Sequence, residues 1–447
     1  MNQPVSVIEL RRRFPSDFTW GVATSAFQIE GAAHADGKGQ SIWDEFCRLP
    51  GAIADGSNGE VACDHYHRLD SDLDLIAQLG VNAYRFSVSW PRIQPDGSGA
   101  INPAGLAFYD RLVDGLLRRN IRPYLTLYHW DLPSALQHRQ GGWAARDTAF
   151  RFAEYARIVA KHLGDRVASI ATHNEPWITS ILGHERGIFA PGVKSRRVAF
   201  QAAHHVLLSH ALALRTIRES GCKAQLGIVL NMSPVYAATD SALDAFHARR
   251  EDGRLIRWFM DPLFKGHYPQ DVLEDLGADA PQVEPEDAHL ISQPFDFLGI
   301  NYYHPTVSSS ANPSSPASHG AAVTDMGWEV SPRSLTQLLL RLRRDYAIPV
   351  LFITENGAAY KDEFVNGLID DEDRRQYIES HLAATADAIR QGVPVKGYFV
   401  WSLLDNFEWA EGYRKRFGIV HVDYETQRRT LKRSAHWYRE FLTAARG

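Results

Sequence analysis

The chain has 447 residues, 48 Lys and Arg against 53 Asp and Glu for a formal charge of −5, and 45 % hydrophobic and 11 % aromatic residues. That apolar content excludes a disordered chain, and the mild acidity leaves no electrostatic footprint for nucleic acid or an anionic membrane surface. Cys47, Cys63 and Cys222 form no C-x-x-C pair, which argues against a disulfide scaffold or zinc site and for a reducing cytoplasm. The most apolar stretch, Val395 to Leu404, is broken by Lys396 and reaches about half of the ~20 residues of a membrane span. Val5–Ile8 is apolar but precedes the basic cluster Arg11–Arg13, the reverse of a secretory signal.

Short β-rich runs alternate with helical patterns along the chain. Phe18–Ala23 reads as a strand, followed by a helical stripe in His65–Leu79 carrying Tyr66, Leu69, Leu73 and Ile76 on one face. Strands Ala83–Trp90 and Pro123–Trp130 flank helix Ala104–Arg119. Helix Thr148–Leu163 leads to strand Ile170–Asn174, and helix Ala199–Glu219 to strand Gln225–Asn231. Strand Phe295–Tyr303, helix Pro332–Tyr346, strand Val350–Glu355, helix Glu372–Gln391, strand Gly397–Leu403 and helix Ser434–Ala445 complete the series. Alternating β and α units imply a parallel sheet, and strands apolar on both faces predict a closed (β/α)₈ TIM barrel over an open doubly wound sheet. A barrel needs only about 250 residues, so the excess is assigned to extended βα loops within one domain spanning 1–447. Ser308–Gly320, rich in Ser, Pro and Ala, reads as a mobile loop.

Nearly every apolar run ends on a residue of chemical interest: Gln28, Arg85, His129, Asn174 with Glu175, Asn231, Asn301 with Tyr303, Glu355, and Trp401 leading to Glu408. In a parallel barrel all strand C-termini open on one face, where active sites sit. Polar residues mark strand ends in many proteins, but that explanation covers the whole set poorly. The pattern predicts one pocket assembled from separate segments.

Thr172-His173-Asn174-Glu175-Pro176 and Ile353-Thr354-Glu355-Asn356-Gly357 each end an apolar strand on a glutamate. Glycoside hydrolysis needs two carboxyl groups flanking the scissile bond, one to protonate the leaving oxygen and one to attack or to activate water. A lone glutamate at a strand end is more often a solvated cap; the pair, on the fourth and seventh runs, favours catalysis. In an ideal strand Asn174 and Glu175 point to opposite faces. Pro176 cannot donate to the ladder, so an irregularity is expected there that turns both inward.

The chain resembles glycoside hydrolase family 1, the β-glucosidase family. The resembling motifs are Phe18 to Gly31, Tyr84 to Arg92, Leu127 to Pro133, Asn174-Glu175-Pro176, Gly299 to Tyr303, Thr354 to Gly357 and Trp401 to Trp409, in family order over essentially the whole chain. The resemblance implies a retaining β-glycosidase without metal or cofactor, with Glu175 as acid/base and Glu355 as nucleophile. Gln28, His129, Glu408 and Trp409 match residues that hold the hydroxyls of the non-reducing sugar, and Asn174 the residue that bonds its 2-hydroxyl. Trp401 matches the platform under the ring, and Tyr303 and Arg85 match contacts to the nucleophile. Trp328 matches an aromatic wall for the leaving group, and Asn231 is a weaker match. Arg85 is placed to keep Glu355 ionised, and that charge with an apolar wall should keep Glu175 protonated. Glu408 as a carboxylate would repel a sugar phosphate while accepting bidentate bonds from neutral hydroxyls. Unphosphorylated β-glucosides or cello-oligosaccharides are therefore the expected substrates, with β-galactosides and β-fucosides as side substrates and cellulose breakdown as a setting. Oligomeric state is not legible.

Other signals are weaker. His65-x-His67 suggests a metallohydrolase but falls on the predicted helix, where surface histidines are the commoner reading. Asp70-x-Asp72-x-Asp74 lacks the Gly and Glu of a calcium loop, having Leu75 and Val81 there. Gly97-Ser98-Gly99 lacks a strand–helix context, and Asn231-Met232-Ser233 is a glycosylation sequon at a strand end. A non-catalytic sugar-binding protein on the same scaffold is the alternative from another class, but pure binding needs neither Glu175 nor Glu355. A metal-dependent barrel hydrolase is a third; activity surviving chelation eliminates it.

Overall fold

A computed structural model describes residues 6–311, 321–365 and 367–444. Eight parallel strands close into a barrel: β1 (Thr19–Ala23), β2 (Ala83–Ser87), β3 (Arg122–Tyr128), β4 (Ser169–Asn174), β5 (Gln225–Asn231), β6 (Phe297–Asn301), β7 (Leu351–Asn356) and β8 (Val395–Trp401). Each pairs with its neighbours in sequence, and β1 closes the ring on β8 with Thr19 opposite Gly397 and Ala23 opposite Trp401. The helical shell is α1 (Leu69–Leu79), α2 (Pro103–Arg118), α3 (Asp147–Leu163), α4 (Arg196–Glu219), α5 (Trp258–Lys265), α6 (Pro332–Asp345), α7 (Glu372–Arg390) and α8 (Arg433–Thr443).

Local chemistry accounts for these elements. In α2, Asn102 caps the Ala104 amide at 3.2 Å and Pro103 supplies a preset φ at the first turn, while Phe108, Leu112, Val113 and Leu116 form the buried stripe. The barrel floor is packed by Tyr124, Phe297, Phe352 and Phe399, with Tyr124 and Phe399 5.0 Å apart and Phe297 and Phe352 5.6 Å apart. These rings need facing glycines: a Cβ on Gly21 would lie 2.2 Å from Phe399 Cδ1. The filled floor confines any ligand to the C-terminal mouth.

The structure corrects several boundaries. The run Ala83–Trp90 leaves the sheet at Ser87, because Trp90-Pro91-Arg92-Ile93 forms a helical turn with proline in its first turn. The helix expected over His65–Leu79 begins at Leu69. His65 is therefore not on a helix surface; it is buried with Nδ1 2.8 Å from Asp72, whereas His67 is exposed beside Asp64. Part of the expected Ser308–Gly320 loop, and Val5 and Ala445, lie outside the described residues. Among the described residues no helix is long and apolar enough to cross a membrane.

Candidate active site

The strand C-termini surround a cavity of about 660 Å³ whose wall includes Glu175, Glu355, His129, Tyr303, Trp401 and Glu408. A groove of about 760 Å³ between Arg375, Trp437 and Glu440 lies on the outer helices and gathers no strand-end residue.

The predicted irregularity at Glu175 is present. The β4–β5 register shifts between Ala171 and Asn174, and Glu175 takes the left-handed region at φ 50° while its amide still donates to Val229 O at 2.9 Å. Left-handed backbone at a non-glycine residue is sparsely populated and clusters at functional sites. The outcome is measurable: the single amide nitrogen of Asn301 donates to Asn174 Oδ1 at 3.0 Å and to Glu175 Oε1 at 2.6 Å, so both side chains face one way. Proline is only part of the cause. The chain turns directly into a π-helical segment, Ile178–Glu185, whose wide turn carries the outer wall of the cavity.

Asn301 also sits opposite Glu355 in the β6–β7 register, after a shift that follows Ile300, and its Oδ1 accepts from Thr354 Oγ1 at 2.7 Å. Glu355 Oε1 accepts from Arg85 Nη1 at 2.6 Å, and Oε2 from the Tyr303 hydroxyl at 2.5 Å. Arg85 Nη2 donates to Asn174 Oδ1 at 2.6 Å, so one guanidinium ties both glutamate-bearing strands together. Each carboxyl is buried, but their surroundings differ. Burial raises the Glu355 pKa, opposed by Arg85 and the Tyr303 hydroxyl. Burial raises Glu175 well above the usual carboxylate range, and the charge of Glu355 adds to it. The proton of the pair therefore rests on Glu175 and the charge on Glu355.

Further polar atoms surround this pair. Asn174 Oδ1 is occupied by Arg85 and Asn301, so its Nδ2 donates to His129 Nε2 at 3.2 Å. That fixes the His129 proton on Nδ1, which has no partner among the described residues; burial and Arg85 keep the ring neutral. Asn231 Oδ1 and Glu408 Oε2 are likewise unpartnered among the described residues. His129 stacks between Trp401, 5.9 Å at 16°, and Trp409, 6.0 Å at 14°. Trp328 packs on Tyr303 at 5.5 Å and His304 at 4.9 Å and lines the outer half of the cavity.

Gln28 is fully buried, with Oε1 accepting from Ser25 at 2.6 Å and Nε2 donating to Asn406 Oδ1 and Phe407 O at 3.0 and 2.9 Å; these bonds brace the loop that carries Glu408. Burial, helped by the charges of Glu355 and Glu411, pushes the Glu408 pKa up to about 8, which favours the protonated form, able to donate as well as accept, more than for an ordinary carboxyl. Sequence reasoning passed over Asn301 as a bridging residue, although the Gly299 to Tyr303 motif contains it. It also missed Trp177, Leu182, Arg186, Ile188, Glu251 and Leu255 in the wall, which come from helical segments and the bend after Glu185, without a strand-end signature. Among the described residues one trio could offer metal ligands, Asp362, Asp405 and His421, and it lies outside this cavity.

The comparisons with known proteins agree with this geometry. The profile of glycosyl hydrolase family 1 matches residues 10–446. The chain belongs to glycosyl hydrolase family 1. It is 49 % identical over 437 residues to a β-glucosidase of Agrobacterium sp., covering 96 % of this chain and 95 % of that one. It is 48 % identical to β-glucosidase A of Acetivibrio thermocellus, covering 96 % and 98 %. Virulence factor SghA of Agrobacterium tumefaciens superposes with a TM-score of 0.95 at 48 % identity over 98 % of this chain and 99 % of that one, and SghA is also known in complex with its substrate analogue salicin. This family 1 glycosyl hydrolase thus carries its two buried glutamates just after β4 and on β7 of a barrel of the same architecture as SghA.

In this family 1 enzyme the pH response follows from the two environments. If turnover needs Glu355 ionised and Glu175 protonated, kcat/KM should fall at low pH as Glu355 gains a proton and at high pH as Glu175, its pKa raised, loses one. Tyr303→Phe removes a hydrogen bond that lowers the Glu355 pKa. The acid limb of the kcat/KM profile should then move to higher pH while the alkaline limb moves less; an unmoved acid limb contradicts the assignment of that limb to Glu355.

Proposed function

We propose that this enzyme is a retaining, exo-acting β-glucosidase in which Glu355 is the nucleophile and Glu175 the acid/base. The observation that carries this reading is the Asn301 bridge: the amide that holds Glu175 sits opposite Glu355 in the sheet, so a protonated and an ionised carboxyl share one cavity. Glu175 gives its proton to the glycosidic oxygen as Glu355 Oε attacks the anomeric carbon, the C–O bond breaks, and the aglycone leaves neutral. The glycosyl–Glu355 ester carries no charge, so the repulsion that raised the Glu175 pKa is gone and the newly formed Glu175 carboxylate can take a proton from water. That water attacks the same carbon, and Glu355 departs as a carboxylate. Two inversions give net retention, which asks for carboxyls about 5–5.5 Å apart.

Neutral His129, protonated on Nδ1, together with Glu408 and Asn231 offers donors and acceptors to hydroxyls, and Asn174 is held where a 2-hydroxyl contact would strengthen in the transition state. Trp401 and Trp409 supply aromatic faces for the sugar, Trp328 for the aglycone, and Gln28, bonded to Asn406 and Phe407, contributes its amide to the same sugar site. Among the described residues Arg186 is the one arginine or lysine in the cavity wall, which offers a sugar phosphate little cationic help and supports unphosphorylated glucosides, with galactosides and fucosides as side substrates. The names of the relatives and the salicin complex of SghA support an aryl or oligosaccharide β-glucoside. We read the chain as one catalytic domain because the first and last barrel strands pair with each other, and its free thiols suit a reducing cytoplasm. The reading is tested by NMR of the product during early turnover of an aryl β-glucoside. β-Glucose should appear first and mutarotate; α-glucose first would mean inversion.

A further inference from the structure

We propose that Asp405 is a positioning residue for sugar binding, fixing the loop after β8 so that Glu408 and Trp409 face the cavity; this rests on the reading that Glu408 holds sugar hydroxyls. Asp405 is fully buried and saturated. Its Oδ1 accepts from Gly418 N at 3.0 Å and Lys432 Nζ at 2.8 Å, and its Oδ2 from Arg416 Nη1 at 2.6 Å. Its amide donates to Val420 O at 3.0 Å, and its carbonyl accepts from Cys63 Sγ at 3.0 Å. Gly418 is required for this approach, since a Cβ there would lie 2.1 Å from the Asp405 nitrogen.

The anchor is part of a larger charge network. Lys432 Nζ also lies 2.8 Å from Asp362 Oδ2, and Arg374 pairs with Asp362 and Asp371. Arg374 Nε donates to Ala358 O at 3.1 Å, in the loop just after Glu355, and its Nη2 to Arg416 O at 2.7 Å. Three carboxylates, Asp362, Asp371 and Asp405, thus face three cations, Lys432, Arg374 and Arg416. Although Asp362, Asp405 and His421 place potential metal-ligand atoms within 4.8 Å of one another, the Lys432 ammonium already supplies the cation between the two carboxylates.

Such a buried network is a weak source of stability compared with apolar packing, but it fixes one arrangement of the groups that join it. From Asp405 the constraint runs along the loop. Asn406 Nδ2 donates to Ser402 Oγ at 2.9 Å, Asn406 Oδ1 accepts from Gln28, and Phe407 N donates to Gln28 O at 3.2 Å. Glu408 N then donates to Gly412 O at 2.7 Å, and Trp409 adopts φ 49°. The same network touches the loops after both β7 and β8, so it sets the sugar-holding loop relative to the nucleophile strand.

The test is a double-mutant cycle with 4-nitrophenyl β-glucoside on the full chain: wild type, Asp405→Asn, Glu408→Gln and the double variant, with folding followed by circular dichroism. Asp405→Asn keeps the shape and removes the charge. Because small misplacements of binding groups are costly, kcat/KM should fall about 10- to 100-fold, mostly through KM, with both pH limbs in place. The double variant should lose little beyond Glu408→Gln alone, because Asp405 acts through Glu408. Losses that multiply, or an unchanged KM in folded Asp405→Asn, overturn the proposal. If Asp405→Asn fails to fold, Arg416→Gln removes the Oδ2 partner, together with the Arg416 bond to Val422 O and its contact with Tyr424, and should raise KM in the same non-additive way; an unchanged or multiplicative effect there overturns it too. If Glu408→Gln itself leaves KM unchanged, the assignment of Glu408 to the sugar falls and the proposal with it, a result distinct from the failures above because it appears in the single Glu408 variant.

Discussion

Glu355→Ala is expected to lower turnover of aryl β-glucosides by about 10⁴–10⁶-fold, the range seen when a covalent nucleophile is removed and only binding and electrostatics remain. In the proposed mechanism Glu355 forms the bond to the anomeric carbon, and no neighbour can replace it: Arg85 is cationic, the Tyr303 hydroxyl has its pKa raised well above the ordinary value, first by burial and then by Glu355, and Glu175 is held by Asn301. Sugar binding should persist, because His129, Glu408 and the tryptophans are untouched; calorimetric titration with glucose checks this. Azide added to the variant can occupy the space of the lost side chain and attack the anomeric carbon once. The product should then be the α-glucosyl azide. Turnover within a few-fold of wild type would contradict the assignment.

Glu175→Gln should separate substrates by leaving group. An unactivated alkyl or sugar aglycone needs the proton, so its rate should fall by about 10²–10⁴-fold, the range for a lost general acid. A 2,4-dinitrophenolate leaves without protonation, so attack by Glu355 should remain fast. The second step still lacks its base, so stopped-flow measurements should show a rapid burst of dinitrophenolate followed by slow turnover. Equal losses for both substrates, with no burst, would mean that Glu175 does not protonate the leaving group. The glutamine also removes the proton whose loss sets the alkaline limb, which should flatten.

The two variants probe a site whose parts differ in legibility. The barrel strands are legible because their apolar runs are short, bounded by turns and end on functional residues; Gln225–Asn231 matches its strand to the residue. The stretch between Met232 and Phe295 is not. Its helix Ala242–Asp252 buries only Asp244, Ala248 and Asp252, so no apolar stripe marks it. α5 contains Pro262, which ordinarily argues against a helix.

The site shows the same division. Glu175 and Glu355 are legible because each follows an apolar run and the chemistry demands two carboxyls. The irregular backbone that turns Glu175 inward follows from the conflict between strand alternation and the need for Asn174 beside it. What sequence does not carry is relative ionisation. That the Glu408 pKa is pushed up depends on burial and on the charge of Glu355, and the setting of the Gln28 amide depends on Asn406 and Phe407, which both accept from its nitrogen. The rest of the wall, built in part by the π-helical segments Ile178–Glu185 and Gly253–Arg257, carries no strand-end signature.

The most direct measurement is peptide mass analysis of the enzyme quenched during reaction with 2,4-dinitrophenyl 2-deoxy-2-fluoro-β-glucoside, whose fluorine slows breakdown of the ester. A fluoroglucosyl adduct should appear on the peptide carrying Glu355 and vanish in Glu355→Ala. An adduct on another residue, or none while dinitrophenolate is released at the expected stoichiometry, would contradict nucleophilic attack by Glu355.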